Sequence, residues 1–213
     1  MNEAIALSLY VLVSLELDPS KPPAFPGTYN KYNLIENQTS AGLSAYLTEW
    51  AALSDTAENE HFNSVNGDSP TWARLWPSLL SQFSDHQPAE FGSEEIPEEW
   101  KDEEIECPVP APVDGKTKSK MAMRVSLVKW AKDPKVQKAW ESVRDREGLD
   151  HKVWEGASWG FADGVVGMQF NLVLGMEKAK AKGWFGSVKT EDDWAAVVQE
   201  ARNQGFLPKG KKA

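Results

Sequence analysis

A helix drawn over residues 2–17 would be apolar on nearly every side. Ile5, Leu7, Leu9, Val11, Leu12, Val13 and Leu15 fall at spacings that leave no continuous polar face before Pro19 stops the run. Such a helix must be covered almost all round. That is unusual for a first element, because the start of a domain ordinarily lies at an edge. A signal peptide is the competing reading. Met1-Asn2-Glu3 carries no positive charge, and Glu16-Leu17-Asp18-Pro19 is not a small-residue cleavage site, so the features of secretion are missing. A cytoplasmic protein is expected, with the sequon Asn37-Gln38-Thr39 unused. The run also falls short of the roughly 18 to 20 apolar residues that a membrane span needs.

The rest of the chain reads as mainly helical. Asp18–Gly27 holds four prolines and reads as an ordered loop. Leu43, Tyr46, Leu47 and Trp50 predict a helix over 40–53. Thr71 is a candidate N-cap for a helix to about residue 83, with Pro77 bending or shortening it. Basic helices are expected over 119–132 and 134–147, separated at Asp133-Pro134. A long helical pattern runs from about 150 to 182, closed by Gly183. Thr190 with Asp193 resembles a capping box for a last helix ended by Gly205. Only residues 60–66 read as a convincing strand, followed by the turn signal Asn66-Gly67-Asp68, with short extended pieces at Phe25 and 32–36. The fold class is therefore mainly α with a few short strands (α+β), in one domain over 1–213. A strand without neighbours leaves its backbone groups unpaired. Either that strand is not one, or its sheet lies outside this chain.

The net charge of −9 excludes a general nucleic-acid binder, which needs a basic face. Ten acids and one lysine between Asp85 and Glu106 supply all of it. This acidic, proline-rich loop, residues 84–117, reads as a solvated segment or a docking surface for a basic partner. One cysteine, Cys107, and three scattered histidines, His61, His86 and His151, exclude a disulfide scaffold and a cysteine-rich metal site. His61, beside Phe62, reads as a strand-face residue. No G-x-G-x-x-G turn follows a strand, and no P-loop, G-x-S-x-G elbow or Tyr-x-x-x-Lys pair occurs.

Several segments nonetheless carry a pattern. Phe62-Asn63, Val65-Asn66-Gly67-Asp68, Thr71-Trp72 and Leu75-Trp76-Pro77 resemble the segment FN-x-x-NGD…W-x-x-LWP. That segment belongs to the progesterone 5-beta-reductase and iridoid synthase-like (PRISE) enzymes, extended short-chain dehydrogenases, with fungal members most similar. Phe25-Pro26-Gly27 and Glu49-Trp50-Ala51-Ala52 agree with it in order. So do Trp159, Phe161-Ala162-Asp163, Met176, Lys178-Ala179-Lys180, Gly183-Trp184, Gly186, Trp194 and Pro208. The resemblance implies a chain that matches only the C-terminal, substrate-capping half. The Rossmann half that binds NADPH and carries the catalytic tyrosine and lysine would lie outside it. It implies no catalytic, cofactor-binding or metal residue here, and no cofactor held by this chain alone. The implied partners are an apolar small-molecule substrate and a Rossmann partner or a second copy. Neither nucleic acid nor membrane is expected. Two other roles are compatible: a native short protein acting as a non-redox binding protein or cyclase/isomerase, and an accessory subunit.

Ala157, Phe161, Val165, Met168, Leu172 and Met176 fall at steps of three and four and form one stripe on the long helix. The stripe reads as core or as a pocket wall. By resemblance, Phe161, Val165 and Met168 are the substrate-binding positions. Gly156, Gly160 and Gly164 predict a close backbone approach or a ligand. Asp163 reads as a hydrogen-bonded structural carboxylate, with general acid–base work as the alternative. The tryptophans read as core anchors whose indole N–H groups need acceptors.

Overall fold

The structure, a computed structural model, describes residues 2–85, 105–108 and 118–210. The acidic loop expected over 84–117 lies almost wholly outside them.

Helix α1 (Glu3–Leu17) runs as the hydrophobic pattern predicts, with Asn2 as N-cap accepting from the Ile5 N–H. It is buried on most sides: Ala4, Ala6, Leu7, Leu9, Tyr10, Val11 and Val13 all lie in the main core. Its covers are α6 (Pro134–Glu147), α8 (Trp159–Gly167) and α10 (Thr190–Asn203). Helix α4 (Trp72–Ser81) packs on α10 and on the short α2 (Tyr29–Asn33). Helix α3 (Ala41–Leu53) is capped by the Ser40 hydroxyl, which accepts from the Leu43 N–H. The remaining helices are short: α5 (Leu127–Trp130), α7 (Lys152–Glu155) and α9 (Glu177–Ala181). Pro77 sits inside α4, which is shorter than the span expected for it.

Among the described residues one ladder occurs, β1 (Ile105–Pro108) antiparallel to β2 (Lys118–Met121), with Ile105 opposite Met121. β2 occupies the start of the span predicted as a basic helix, and only Leu127–Trp130 of that span is helical. Residues 60–66 form no ladder. Their polar groups are met by loops instead: Asn66 N–H donates to the Gln38 carbonyl at 2.8 Å, and Val188 N–H to the Asn66 carbonyl at 2.9 Å. The missing sheet is thus not required by this segment. Isolated bridges do occur near the expected extended pieces, at Gly27–Met123, Ile35–Thr71 and Glu36–Leu172, while Tyr32 is helical.

The long helix expected over 150–182 is three short ones, α7, α8 and α9, with a turn between the first two and a non-helical segment that starts extended at Met168 between the last two. α7 stops at Gly156 and α8 at Met168. Frequent glycine removes the propensity that would carry a helix through. The close approach expected at Gly160 and Gly164 is absent, since a Cβ at Gly160 would meet only Val128 at 3.9 Å and Gly164 faces open space. It occurs at Gly27, where a Cβ would lie 2.6 Å from the Val166 carbonyl oxygen. Gly183 and Gly205 do close α9 and α10 with φ of +101° and +75°.

Aromatic rings tie the elements together. Trp140 stacks on Trp154 at 5.2 Å, Trp154 meets Trp159 edge-on at 4.9 Å, and Tyr10 of α1 meets Trp130 at 4.9 Å. Phe25, from the proline-rich loop, touches Trp72 and Trp76. The indole N–H groups of Trp72 and Trp184 are buried without acceptors among the described residues, contrary to expectation. A smaller cluster of Val65, Met176 and Ala179 packs with Phe62 and Trp184.

Candidate functional site

A cavity of about 380 Å³ opens where the start of α1, the loop after α2, α8 and α10 converge. Phe161 and Val165 lie one turn apart on α8 and face it. Met168 follows the last residue of α8, and Leu172 enters from the extended segment beyond. The three substrate-binding positions expected from the resemblance therefore share one wall, although Met168 reaches it from outside a helix. Trp194 and Val197 of α10 add apolar surface.

The segment beyond α8 is fixed by paired hydrogen bonds. Leu172 N–H donates to the Ile35 carbonyl and Asn37 N–H to the Leu172 carbonyl, each at 2.9 Å. The Asn37 side chain accepts from Leu174 N–H at 2.7 Å and donates to the Asp68 carbonyl at 2.9 Å. The Gln169 amide donates to the Ala122 carbonyl at 3.1 Å, which ties the segment to the end of β2.

Opposite the apolar wall lie polar residues that the sequence reading missed: Glu3, Glu36, Asn37 and Gln38. Lys31 and Glu36 form an ion pair in which both side chains are almost fully buried. Desolvation of such a pair is expensive, and removal of one partner leaves a buried charge. Burial raises the Glu36 carboxyl above its usual range, against the pull of Lys31. Burial, with the Glu36 charge second, pushes the Glu3 carboxyl up to about 7, while Gln38 and Lys31 draw it down by less. Glu3 is 9% exposed, and its Oε1 has no hydrogen-bond partner among the described residues. Its one sequence signal is a lone acid ahead of an all-apolar helix. The Lys31–Glu36 pair carries none, because the two sit five apart across a helix end.

Asp163 does not face this cavity. Its carboxylate accepts from Leu127 N–H at 2.6 Å, Val128 N–H at 3.2 Å and the Ser126 hydroxyl at 2.9 Å. It caps α5, as expected for a structural carboxylate. His61 is exposed and in no strand. Among the described residues no group of three or more His, Cys, Asp or Glu side chains could hold a metal ion. No helix among them is long and apolar enough to cross a membrane. A larger groove of about 480 Å³ lies between α3 and Trp184, but it is more open, and the buried polar group it brings is the indole N–H of Trp184 alone, with no buried carboxyl beside it. An apolar wall with a few convergent polar groups is the commoner design of a small-molecule site, and the smaller cavity has it.

The chain's homologues are short-chain dehydrogenases and related reductases. Within that class they include the iridoid synthase and steroid 5-beta-reductase (PRISE-type) proteins. An uncharacterized protein of Schizosaccharomyces pombe is 30% identical over 98% of this chain and 52% of its own length. A short chain dehydrogenase of Penicillium aethiopicum is 26% identical over 98% of the chain and 50% of its own. A 3-oxo-Delta(4,5)-steroid 5-beta-reductase of Arabidopsis thaliana is 27% identical over 98% and 45%. The chain thus spans about half the length of the curated relatives it matches. No family model matches it.

Proposed function

We propose that this chain is the substrate-binding part of an NADPH-dependent short-chain reductase of the PRISE type, truncated or split, with hydride transfer carried by residues outside these 213. The observation that carries the reading is the apolar wall that Phe161, Val165 and Met168 form along one cavity. Relatives named as a short chain dehydrogenase and a steroid 5-beta-reductase support it. In such an enzyme the reaction is 1,4-reduction of an enone. This chain would bind the apolar body of the substrate and exclude water from it. Phe161, Phe170, Val173 and Leu174 are 40–59% exposed along one stretch. They offer a face for the rest of such an enzyme, a separate Rossmann partner or a second copy.

The test is NADPH consumption with cyclohexenone by the polypeptide purified from its source cells, together with its intact mass. A longer polypeptide that consumes NADPH is the expected result. A native 23.7 kDa product that leaves NADPH untouched overturns the reading. One observation favours a second reading, a non-redox binding protein or cyclase/isomerase: side chains of this chain alone build the cavity. It predicts ligand binding that NADPH does not alter.

A further inference from the structure

Glu3 and Phe161 line the same cavity. The Glu3 carboxyl is incompletely matched there: its Oε1 is buried and lacks a partner among the described residues. Leaving such a group unmatched is destabilising, so a matching ligand group is favoured there. We propose that Glu3 is the specificity-determining residue of this cavity: its protonated carboxyl donates a hydrogen bond to an uncharged oxygen of the ligand, and so selects apolar molecules that carry a carbonyl or hydroxyl oxygen at that end. This rests on the cavity being the ligand site of the reading above.

The surroundings support the neutral acid as donor. The groups that face Glu3 are Lys31 and Glu36, engaged with each other, Gln38, and Asp193 from α10. From α8 come Phe161 and Val165, and no titratable side chain. Burial and the Glu36 charge favour the uncharged form of Glu3, and a protonated carboxyl is a hydrogen-bond donor. The acids around it repel an anionic ligand. The carboxyl of Glu36 differs, because one of its oxygens is paired with Lys31. The apolar wall holds the body of the ligand, and Glu3 reads one end of it.

Four probes with the same apolar body test this on the full chain by calorimetry: menthone, menthol, menthylamine and menthane carboxylate. Menthone should bind, menthol should bind comparably through its oxygen, and the carboxylate should bind at least about tenfold more weakly. Menthone affinity should fall roughly tenfold from about pH 6 to about pH 8, as the protonated fraction falls. Glu3→Gln should bind menthone with no such fall, because an amide still donates, and circular dichroism confirms that it is folded. Glu3→Leu should weaken menthone about tenfold at the lower pH, the scale of one lost hydrogen bond. Phe161→Ala should weaken all four, which places them in this cavity. The proposal is overturned by a flat pH profile in the native chain, by an equal fall in Glu3→Gln, by tighter binding of menthylamine than menthone, or by no binding of the set. NADPH consumption by the native polypeptide separates the two readings. Activity with a flat profile removes only the role of Glu3, and a Glu3-dependent profile without activity removes only the reductase.

Discussion

Two buried carboxyls show how burial alone does not set a side chain's role. Asp163 is buried among donors: two backbone N–H groups and one hydroxyl reach its oxygens. It serves the fold because its oxygens satisfy N–H groups at the start of α5 that have no partner within the helix. Asp163→Ala should therefore destabilise the protein by about 2–3 kcal/mol in urea titrations, with Asp163→Asn losing less. A substitution that leaves the unfolding midpoint unmoved would show that α5 does not depend on this cap. Glu3 is buried among few donors, and its carboxyl is pushed from an ordinary 4.5 to about 7. The folded state then holds a proton that the unfolded chain releases. The stabilising contribution is complete below about pH 4.5 and is lost as pH rises through 7, on the order of 3 kcal/mol in all. Glu36 is raised too and adds to the loss with the same sign. Urea midpoints should thus fall between about pH 5 and 8 in the native chain and fall less in Glu3→Gln, which should be the more stable of the two at the upper pH. Equal slopes in the two proteins would mean that Glu3 is not buried as a neutral acid.

At the scale of elements, α10 is held by a cap that its own sequence does not contain. Thr190 and Asp193 suggest a local capping box, yet the N-cap position is Lys189 and its side chain makes no capping bond. Asp68 does that work from the loop before α4. Its oxygens accept from Thr190 N–H at 3.0 Å and the Thr190 hydroxyl at 2.6 Å. Asn66 donates to the same hydroxyl at 3.1 Å and accepts from Ser40 N–H at 2.6 Å. Asp68→Ala should lower stability by about 1–2 kcal/mol, the range of a lost N-cap, measured by thermal unfolding. Thr190→Ser should change it little, since the hydroxyl stays. What could be read from sequence divides along this line. The span of α6, 134–147, was legible because Asp133-Pro134 is a local signal for a cap and a first turn. So was the all-round burial of α1. The three pieces α7, α8 and α9 were not. Met168 and Leu172 keep a helical spacing because both reach the same cavity, although hydrogen bonds to Ile35 and Asn37, more than 130 residues earlier, hold that stretch extended. The pair of strands was hidden too. β1 falls in the stretch read as an acidic loop and β2 at the start of the stretch read as a basic helix, and neither has the sustained alternation that marks a strand. Phe161, Val165 and Met168 were legible by resemblance, but Glu3, Lys31 and Glu36 meet only through tertiary structure.

For the whole molecule the organising fact is that α1 has no free side. α6, α8 and α10 each pack on it, and these come from a stretch that begins more than a hundred residues later in the chain. The two halves of the described structure therefore meet on one helix. A second contact between them, the ion pair of Arg146 with Glu16 at the far end of α1, is half-exposed, and such pairs contribute little. Burial on α1 must dominate. Leu9 is fully buried in the middle of that helix, so Leu9→Ala should destabilise by about 2–5 kcal/mol, depending on how far its neighbours collapse. That is a large share of the roughly 5–15 kcal/mol of a typical domain. Removal of residues 2–17 should do more than destabilise. It would uncover the inner faces of three helices at once, and no other described element is placed to cover them. The shortened chain should then show no cooperative thermal transition and should bind a dye for exposed apolar surface, while the native chain unfolds in one step. A cooperative transition in the shortened chain would show that α6, α8 and α10 form a core without α1, and would move the centre of this fold elsewhere.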